Sequence, residues 1–151
     1  MAKRNKKRGR GEGRGTLRGL PPLVAAYRIQ EDAARVGFDW PDARGPLEKV
    51  KEEVRELEAE LSSERTAPRS PLPAVQEEVG DLLFAVVNLA RKLGIDLEAA
   101  LARANDKFTR RFGEVERLAA ERGLEVGRAS LEELDRLWEE IKSGGRGRRG
   151  R

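Results

Sequence analysis

The chain has 151 residues, about the size of one domain, and contains neither cysteine nor histidine. Disulfides and thiolate sites are therefore excluded, as are a Ser-His-Asp triad, a zinc site with imidazole ligands and a di-iron bundle with Glu-x-x-His motifs. If the chain catalyses a reaction, its tools are carboxylates, the cations of lysine and arginine, and a bound metal.

The net charge of +4 hides an uneven distribution. Residues 1–20 carry eight Lys/Arg and one Glu, and residues 142–151 carry five Lys/Arg and no acid, which leaves −8 for residues 21–141. We expect an acidic domain over residues 21–141 between two basic, disordered tails. The tails would contact nucleic acid only weakly and non-specifically, because they lack aromatic residues for base stacking.

Hydropathy predicts neither a membrane span nor a secretory signal. The sequence has no run of about 18 apolar residues, and no apolar segment follows its basic start. The absence of cysteine fits a reducing compartment. Together these features predict a cytoplasmic protein.

The acidic domain is predicted to be all-α, because no segment alternates apolar and polar residues with a period of two. Ser130 and Glu133 form a capping box before the last predicted helix. In chain order, helices are expected over residues 22–36, from Pro46 to a linker over residues 62–73, over residues 74–93, over residues 97–122 and from Leu131 onward.

The third predicted helix, containing VGDLLFAVVNLA, is apolar on nearly every face and needs partners on several sides. We therefore expect a four-helix core with a C-terminal helix, assembled as a homodimer. The second predicted helix has an apolar stripe with 3, 4, 3, 4 spacing, which is typical of bundle packing. The stripe consists of Leu47, Val50, Val54, Leu57 and Leu61.

Two acidic pairs are the main functional signal: Glu53 with Glu56, and Glu78 with Asp81. The i, i+3 spacing places both carboxylates of a pair on the same face of a helix. Two such helices side by side would gather four like charges, which a hard divalent cation such as Mg²⁺ neutralises with its preference for oxygen ligands. The alternative is a set of solvated or salt-bridged helix charges. Asp81 opens so apolar a helix that the metal site is the better interpretation.

A metal held by these acids would attract phosphate oxygens, and nearby cations would complete the binding. Lys49, Lys107 and Arg111 are candidates for that role. A water held by Glu77 or Glu53 could then attack phosphorus in line. The pattern therefore points to hydrolysis of a phosphoanhydride, without indicating which bond.

The order of motifs VGFDWPD, LEKVKEEVREL, EEVGDLLFAVVNLAR, ANDKFTRRF and SLEELDRLWEE resembles the MazG family of nucleoside triphosphate pyrophosphohydrolases. The resemblance extends from about Tyr27 to Lys142. The two acidic pairs are shared by the wider all-α NTP pyrophosphatase superfamily, whereas EEVGDLLFAVVNLAR and KFTRRF are more particular to MazG. The chain resembles the C-terminal, catalytic domain of proteins that often carry two such domains.

The resemblance implies metal-dependent cleavage between the α and β phosphates, with Mg²⁺ as the cofactor and Mn²⁺ as a substitute. It implies a dimer or a dimer-based oligomer. By position in the motifs, it assigns the metal to Glu53, Glu56, Glu78 and Asp81, with Glu77 in a supporting role. It assigns phosphate binding to Lys49, Lys107 and Arg111, and a place near the nucleotide to Asn105 and Trp138.

Other interpretations remain open. A narrower alternative is a substrate preference like that of the dUTPase, dCTPase or phosphoribosyl-ATP pyrophosphohydrolase members of the superfamily. A different class is a nucleic-acid-binding helical protein that uses its basic tails. Asn105 and Trp138 could have purely structural roles, and for Trp40 a core or interface role is the preferred interpretation. Asp106 stands where the family usually has Glu, which leaves its role open.

Overall fold

The computed structural model describes residue 17, residues 19–63 and residues 72–147. Within these residues there are helices and no strands, so the predicted all-α class is confirmed. The helices are α1 (Pro22–Arg35), α2 (Arg44–Ser63), α3 (Leu72–Lys92), α4 (Leu97–Glu121) and α5 (Leu131–Gly147). The predictions for residues 1–16, residues 64–71 of the linker and residues 148–151 lie outside the described part.

The helices form two compact units, and the division falls between Asp96 and Leu97. The first unit contains α1, α2 and α3, with α3 packed against both of the others. Its buried apolar side chains are small: Ala85, Val87 and Ala90 on α3, and Pro46 near the start of α2. The small side chains let the helices approach closely, which places the acidic face of α3 beside α2.

The second unit contains α4 and α5. Its core consists of Val115 and Ala119 from α4 and Leu137 from α5. The predicted capping box is confirmed: the Glu133 N–H donates to Ser130 Oγ at 3.3 Å, and the Ser130 N–H donates to Glu133 Oε2 at 2.8 Å. These bonds satisfy backbone donors that the first turn of a helix otherwise leaves unpaired.

The end of α1 is set by Gly37, whose φ of 90° is a left-handed conformation that glycine adopts without strain. The chain then turns into the loop over residues 38–43, which precedes α2. In the second unit, α5 continues to Gly147, past the start of the predicted basic tail at residue 142. Lys142 pairs with Glu139 at 2.6 Å, and Ser143 Oγ donates to the Glu139 carbonyl at 2.9 Å.

The apolar stripe of α2 is less buried than its spacing predicts. Leu47, Val54 and Leu61 are 41%, 39% and 48% exposed in the chain. Spacing identifies the apolar face of a helix but not how much of it a single chain covers. Among the helices described, none is long and apolar enough to cross a membrane.

Candidate metal centre

Three of the predicted metal ligands lie together in the first unit. Carboxylate oxygens of Glu53 on α2 and of Glu78 and Asp81 on α3 all lie within 4.8 Å of one another. The i, i+3 spacing puts Glu78 and Asp81 on one face of α3, and the packing of α3 on α2 brings Glu53 to that face. The structure thus joins residues that are 25 or more positions apart in the sequence.

Glu53 is the buried member of this carboxylate cluster, with only 4% of its surface exposed. Its carboxylate pairs with Lys49 Nζ at 2.6 Å, and the same ammonium contacts Glu52 at 3.0 Å. Hydrogen bonds to Glu53 and Glu52 raise the pKa of Lys49 above its ordinary value. Lys49 is therefore held as a cation in direct contact with the cluster.

The pKa of Glu78 is affected by the neighbouring carboxylates. Burial raises the pKa of its carboxyl group, and the negative charges of Glu56, Glu53 and Asp81 raise it further. Both causes disfavour the ionised form, and a bound cation would reverse them. An electrostatic cost of this kind is expected where carboxylates are grouped for a ligand rather than for stability.

The donor set fits a hard divalent cation, because each of the three clustered residues offers carboxylate oxygens and none offers nitrogen or sulfur. Glu56 lies outside the group of three, although its charge acts on Glu78 from the neighbouring turn of α2. Glu77 is exposed on α3, next in sequence to Glu78. Metal binding by Glu56 and a supporting role for Glu77 stay predictions.

The remaining predicted residues belong to the second unit. Asn105 and Lys107 are exposed on α4, and Arg111 is half-buried. Neither Lys107 nor Arg111 pairs with a carboxylate in the part of the chain that the structure describes. Trp138 of α5 packs against Phe108, with ring centroids 5.3 Å apart. Their roles toward a nucleotide stay predictions.

A cavity of about 700 Å³ adjoins the carboxylate cluster, within the first unit. Glu53 and Asp81 line one part of it, and Lys49 lies beside them. Elsewhere its wall is mostly apolar and includes Phe38, Trp40, Phe84 and the buried Gln30. Small-molecule sites usually combine such an apolar wall with a few convergent polar groups, in volumes of roughly 300–1,000 Å³.

The loop that carries Phe38 and Trp40 is fastened to the C-terminal end of α3. Asp39 forms an ion pair with Arg91 and a second one with Lys92 at 3.0 Å. Lys92 Nζ also donates to the Trp40 carbonyl at 2.6 Å. Hydrogen bonding from Arg91, with a further contribution from Lys92, lowers the pKa of Asp39 to about 2. This network, which we call the loop clamp, fixes one wall of the cavity.

The residues of the apolar part of the cavity wall are not among the functional residues predicted from the sequence. Trp40 was interpreted as a core or interface aromatic, and Gln30, Asp39 and Arg91 were given no role. Asp39 and Trp40 belong to the motif VGFDWPD and Arg91 ends the motif EEVGDLLFAVVNLAR, whereas Gln30 lies in none of the motifs of the resemblance. A motif shared by a family marks a residue as relevant but does not show which cavity it lines.

Residues 45–115 match the family model described as the MazG nucleotide pyrophosphohydrolase domain. This range contains α2, α3 and most of α4, and thus the whole carboxylate cluster. The helical fold, the acidic cluster and this match agree with one another. The chain carries a domain of the MazG family.

Named relatives support the same assignment. The chain is 46% identical over 125 residues to the nucleoside triphosphate pyrophosphohydrolase of Escherichia coli K12, covering 83% of this chain and 46% of that protein. It is 45% identical over 125 residues to the nucleoside triphosphate pyrophosphohydrolase/pyrophosphatase MazG of Thermotoga maritima, with the same coverage. The chain therefore spans about half the length of the curated relatives it matches.

Proposed function

We propose that the protein hydrolyses nucleoside triphosphates between the α and β phosphates, giving a nucleoside monophosphate and pyrophosphate. The observation that carries this proposal is the carboxylate cluster of Glu53, Glu78 and Asp81 beside a cavity large enough for a nucleotide. The two relatives named above, at 45–46% identity, are called nucleoside triphosphate pyrophosphohydrolases. Their names support pyrophosphohydrolysis, and the carboxylate cluster beside the cavity supports its location in the first unit.

The proposed cofactor is Mg²⁺, with Mn²⁺ as a substitute. Glu53, Glu78 and Asp81 would hold the cation, and Glu56 would join them from the neighbouring turn of α2. Bound there, a divalent cation neutralises charge on phosphate oxygens and on the leaving pyrophosphate. The acids alone would repel a triphosphate, so activity without a metal is not expected.

The chain's own residues supply binding and proton transfer in this proposal. Lys49, already held as a cation beside Glu53, would bind a phosphate oxygen, as would Lys107 and Arg111. Glu77 or Glu53 would accept a proton from the attacking water. Water adds to phosphorus, the bond between the α and β phosphates breaks, and pyrophosphate leaves. Asn105 and Trp138 are proposed to lie near the nucleotide.

The test is product analysis with the eight common NTPs and dNTPs, each with Mg²⁺, with Mn²⁺ and with excess EDTA. The proposal expects equal amounts of nucleoside monophosphate and pyrophosphate, and only when a metal is present. Release of orthophosphate would mean that another bond is cleaved. Absence of turnover with every nucleotide would overturn the proposal.

The substrate panel also separates the narrower alternatives. Strong preference for dUTP or dCTP, or turnover of phosphoribosyl-ATP in place of NTPs, would assign the protein to one of those activities. The broad (d)NTP activity is proposed because both relatives are named for nucleoside triphosphates in general.

We further propose that the protein is a homodimer or a dimer-based oligomer. The supporting observation is that large apolar side chains of α3 remain exposed in the single chain, including Leu83 at 52% and Val79 at 40%. Light scattering coupled to gel filtration would measure the mass directly. A mass equal to the 16.9 kDa of one chain at micromolar concentration would contradict this part of the proposal.

A further inference from the structure

We propose that the apolar part of the cavity in the first unit binds the nucleobase, with Trp40 as the stacking surface and Gln30 as the hydrogen-bonding group. This inference rests on the proposed function, and it adds where the base binds and which residues read it. Three observations carry it: the position of the cavity, the packing of Trp40 and the bonding of Gln30.

The cavity continues from the carboxylate cluster into an apolar region, so a ligand that places its phosphates near Glu53 and Asp81 can extend its other end among aromatic side chains. Phe38, Trp40 and Phe84 line this part. A nucleotide matches this arrangement, because it has charged phosphates at one end and a flat, aromatic base at the other.

Trp40 is held in the way that a stacking platform requires. Its indole ring packs so closely on the backbone of Gly45, near the start of α2, that a Cβ there would collide with the ring. The loop clamp fixes the backbone on either side of it, through Asp39 and the Trp40 carbonyl. The side chain nevertheless remains 46% exposed and lines the cavity. A fixed, accessible aromatic ring favours base stacking with little loss of side-chain freedom.

Gln30 is a buried polar residue with one unsatisfied group. It is 6% exposed, and its Nε2 donates to the Phe84 carbonyl at 2.8 Å, which fixes the orientation of the amide. Its Oε1 is shielded from solvent and accepts no hydrogen bond among the described residues. Buried acceptors without a partner are rare in native proteins and call for an explanation.

Gln30 also lines the cavity, and a base that enters there and displaces the wall side chains that cover Oε1 would provide the missing donor. Every common base carries at least one N–H on its pairing edge, so a single acceptor such as Gln30 Oε1 selects for a base without choosing one base over the others. Phe84 contributes both to the orientation of Gln30 and to the cavity wall. Its carbonyl accepts the hydrogen bond from Gln30 Nε2, and Phe84 also lines the cavity. The cavity is thus suited to nucleobases as a class.

The first test compares ligands on the unaltered protein. Ribose 5-triphosphate, which has no base, should have a kcat/KM about 10- to 100-fold lower than that of UTP. N3-methyl-UTP, whose base has no N–H donor, should also be a poorer substrate than UTP. Equal kcat/KM for all three triphosphates would overturn the base site while leaving the proposed reaction intact. No pyrophosphate from any of them would instead overturn the proposed function.

The second test uses variants. Trp40→Ala should raise the KM for UTP about 10- to 100-fold, whereas inhibition by inorganic tripolyphosphate, which has no base, should change less than about twofold. Trp40→Phe retains a ring and should restore much of the affinity. An equal loss of affinity for UTP and tripolyphosphate would contradict the proposal, because it would indicate general damage to the site.

The third test concerns Gln30. Gln30→Met removes the acceptor and should make UTP and N3-methyl-UTP equally good substrates. Gln76→Met, at the chain's other glutamine, which is exposed on α3, is the matched control and should keep the discrimination. Discrimination that survives in Gln30→Met would show that another group reads the base edge and would overturn the role of Gln30.

Discussion

The two units of the molecule differ in the surroundings of their predicted functional residues. In the first unit, Glu53 is buried, paired with Lys49 and crowded by Glu78 and Asp81. In the second unit, Asn105 and Lys107 lie exposed on α4 and the core is apolar. Like charges held together cost stability unless a ligand joins them. The grouping of the carboxylates in the first unit therefore indicates a candidate metal site without any ligand, whereas the proposed role of the cations in the second unit depends on a bound substrate.

The largest expected effect is at the carboxylate cluster. Asp81→Asn should lower metal-dependent kcat/KM by at least about 100-fold, since it removes a proposed metal ligand and even groups that only support such ligands contribute 10- to 100-fold. In EDTA its Tm should not fall, because the substitution removes a charge that repels Glu78. Steady-state kinetics and thermal unfolding measure the two effects.

The matched control for this substitution is Asp135→Asn on α5, where the same change affects an exposed carboxylate of the second unit. It should keep both activity and Tm. An Asp81→Asn protein that is as active as Asp135→Asn would contradict the role of the cluster.

The next largest effect is expected at the two cations of the second unit. Lys107→Ala and Arg111→Ala should each lower kcat/KM by about 10- to 100-fold, the range for losing a charged hydrogen bond to substrate. Their Tm should stay unchanged, since neither cation pairs with a carboxylate in the described chain. Arg117→Ala is the control on the same helix, because Arg117 pairs with Glu121 on the surface. Normal kinetics for both variants would remove them from the proposed site.

A smaller effect is expected at the loop clamp. The pKa of Asp39 is lowered to about 2 by Arg91, so its ionised form is favoured by folding. Its contribution to stability is therefore present above the ordinary value of 3.8 and is lost as the pH falls toward 2. Asp39→Asn should lower Tm at pH 6, and the difference from the unaltered protein should vanish near pH 2. A difference that does not depend on pH would contradict the ion pair.

The smallest effect concerns the capping box of α5. Ser130→Ala removes an acceptor of the Glu133 N–H and should lower Tm by about 2–4 °C. Because Ser130 is exposed at the start of α5 and has no role in the proposed site, kcat/KM for nucleotides should stay within about twofold of the original value. Glu132→Ala, two positions away at an exposed residue, is the control. A Tm change no larger than that of the control would contradict a stabilising role for the Ser130 cap.

Much of the fold could be predicted because it depends on local signals. The start of α5 follows from a side-chain-to-backbone exchange between Ser130 and Glu133, which four residues specify completely. The all-α class follows from the absence of a period-two pattern. Glycine and basic residues after Lys142 predict a tail from residue 142, but α5 extends into this segment, where Lys142 and Ser143 bond to the preceding turn.

The site could be predicted in part. The i, i+3 spacing of Glu78 and Asp81 specifies a shared helix face, and only the packing of α3 on α2 was needed to add Glu53. The cavity wall could not be predicted, because the burial of Gln30 and the closeness of Trp40 to Gly45 depend on contacts between separate elements. No local pattern in the sequence records such contacts.

The most direct test of the account is metal binding by the carboxylate cluster itself. Mn²⁺ would be titrated into the unaltered protein, Glu53→Gln and Glu58→Gln, with free Mn²⁺ measured by electron paramagnetic resonance. Glu58 is exposed on the same helix, so it controls for loss of a negative charge. We predict that Glu53→Gln alone binds Mn²⁺ at least about tenfold more weakly than the unaltered protein. Equal binding by all three proteins would contradict it.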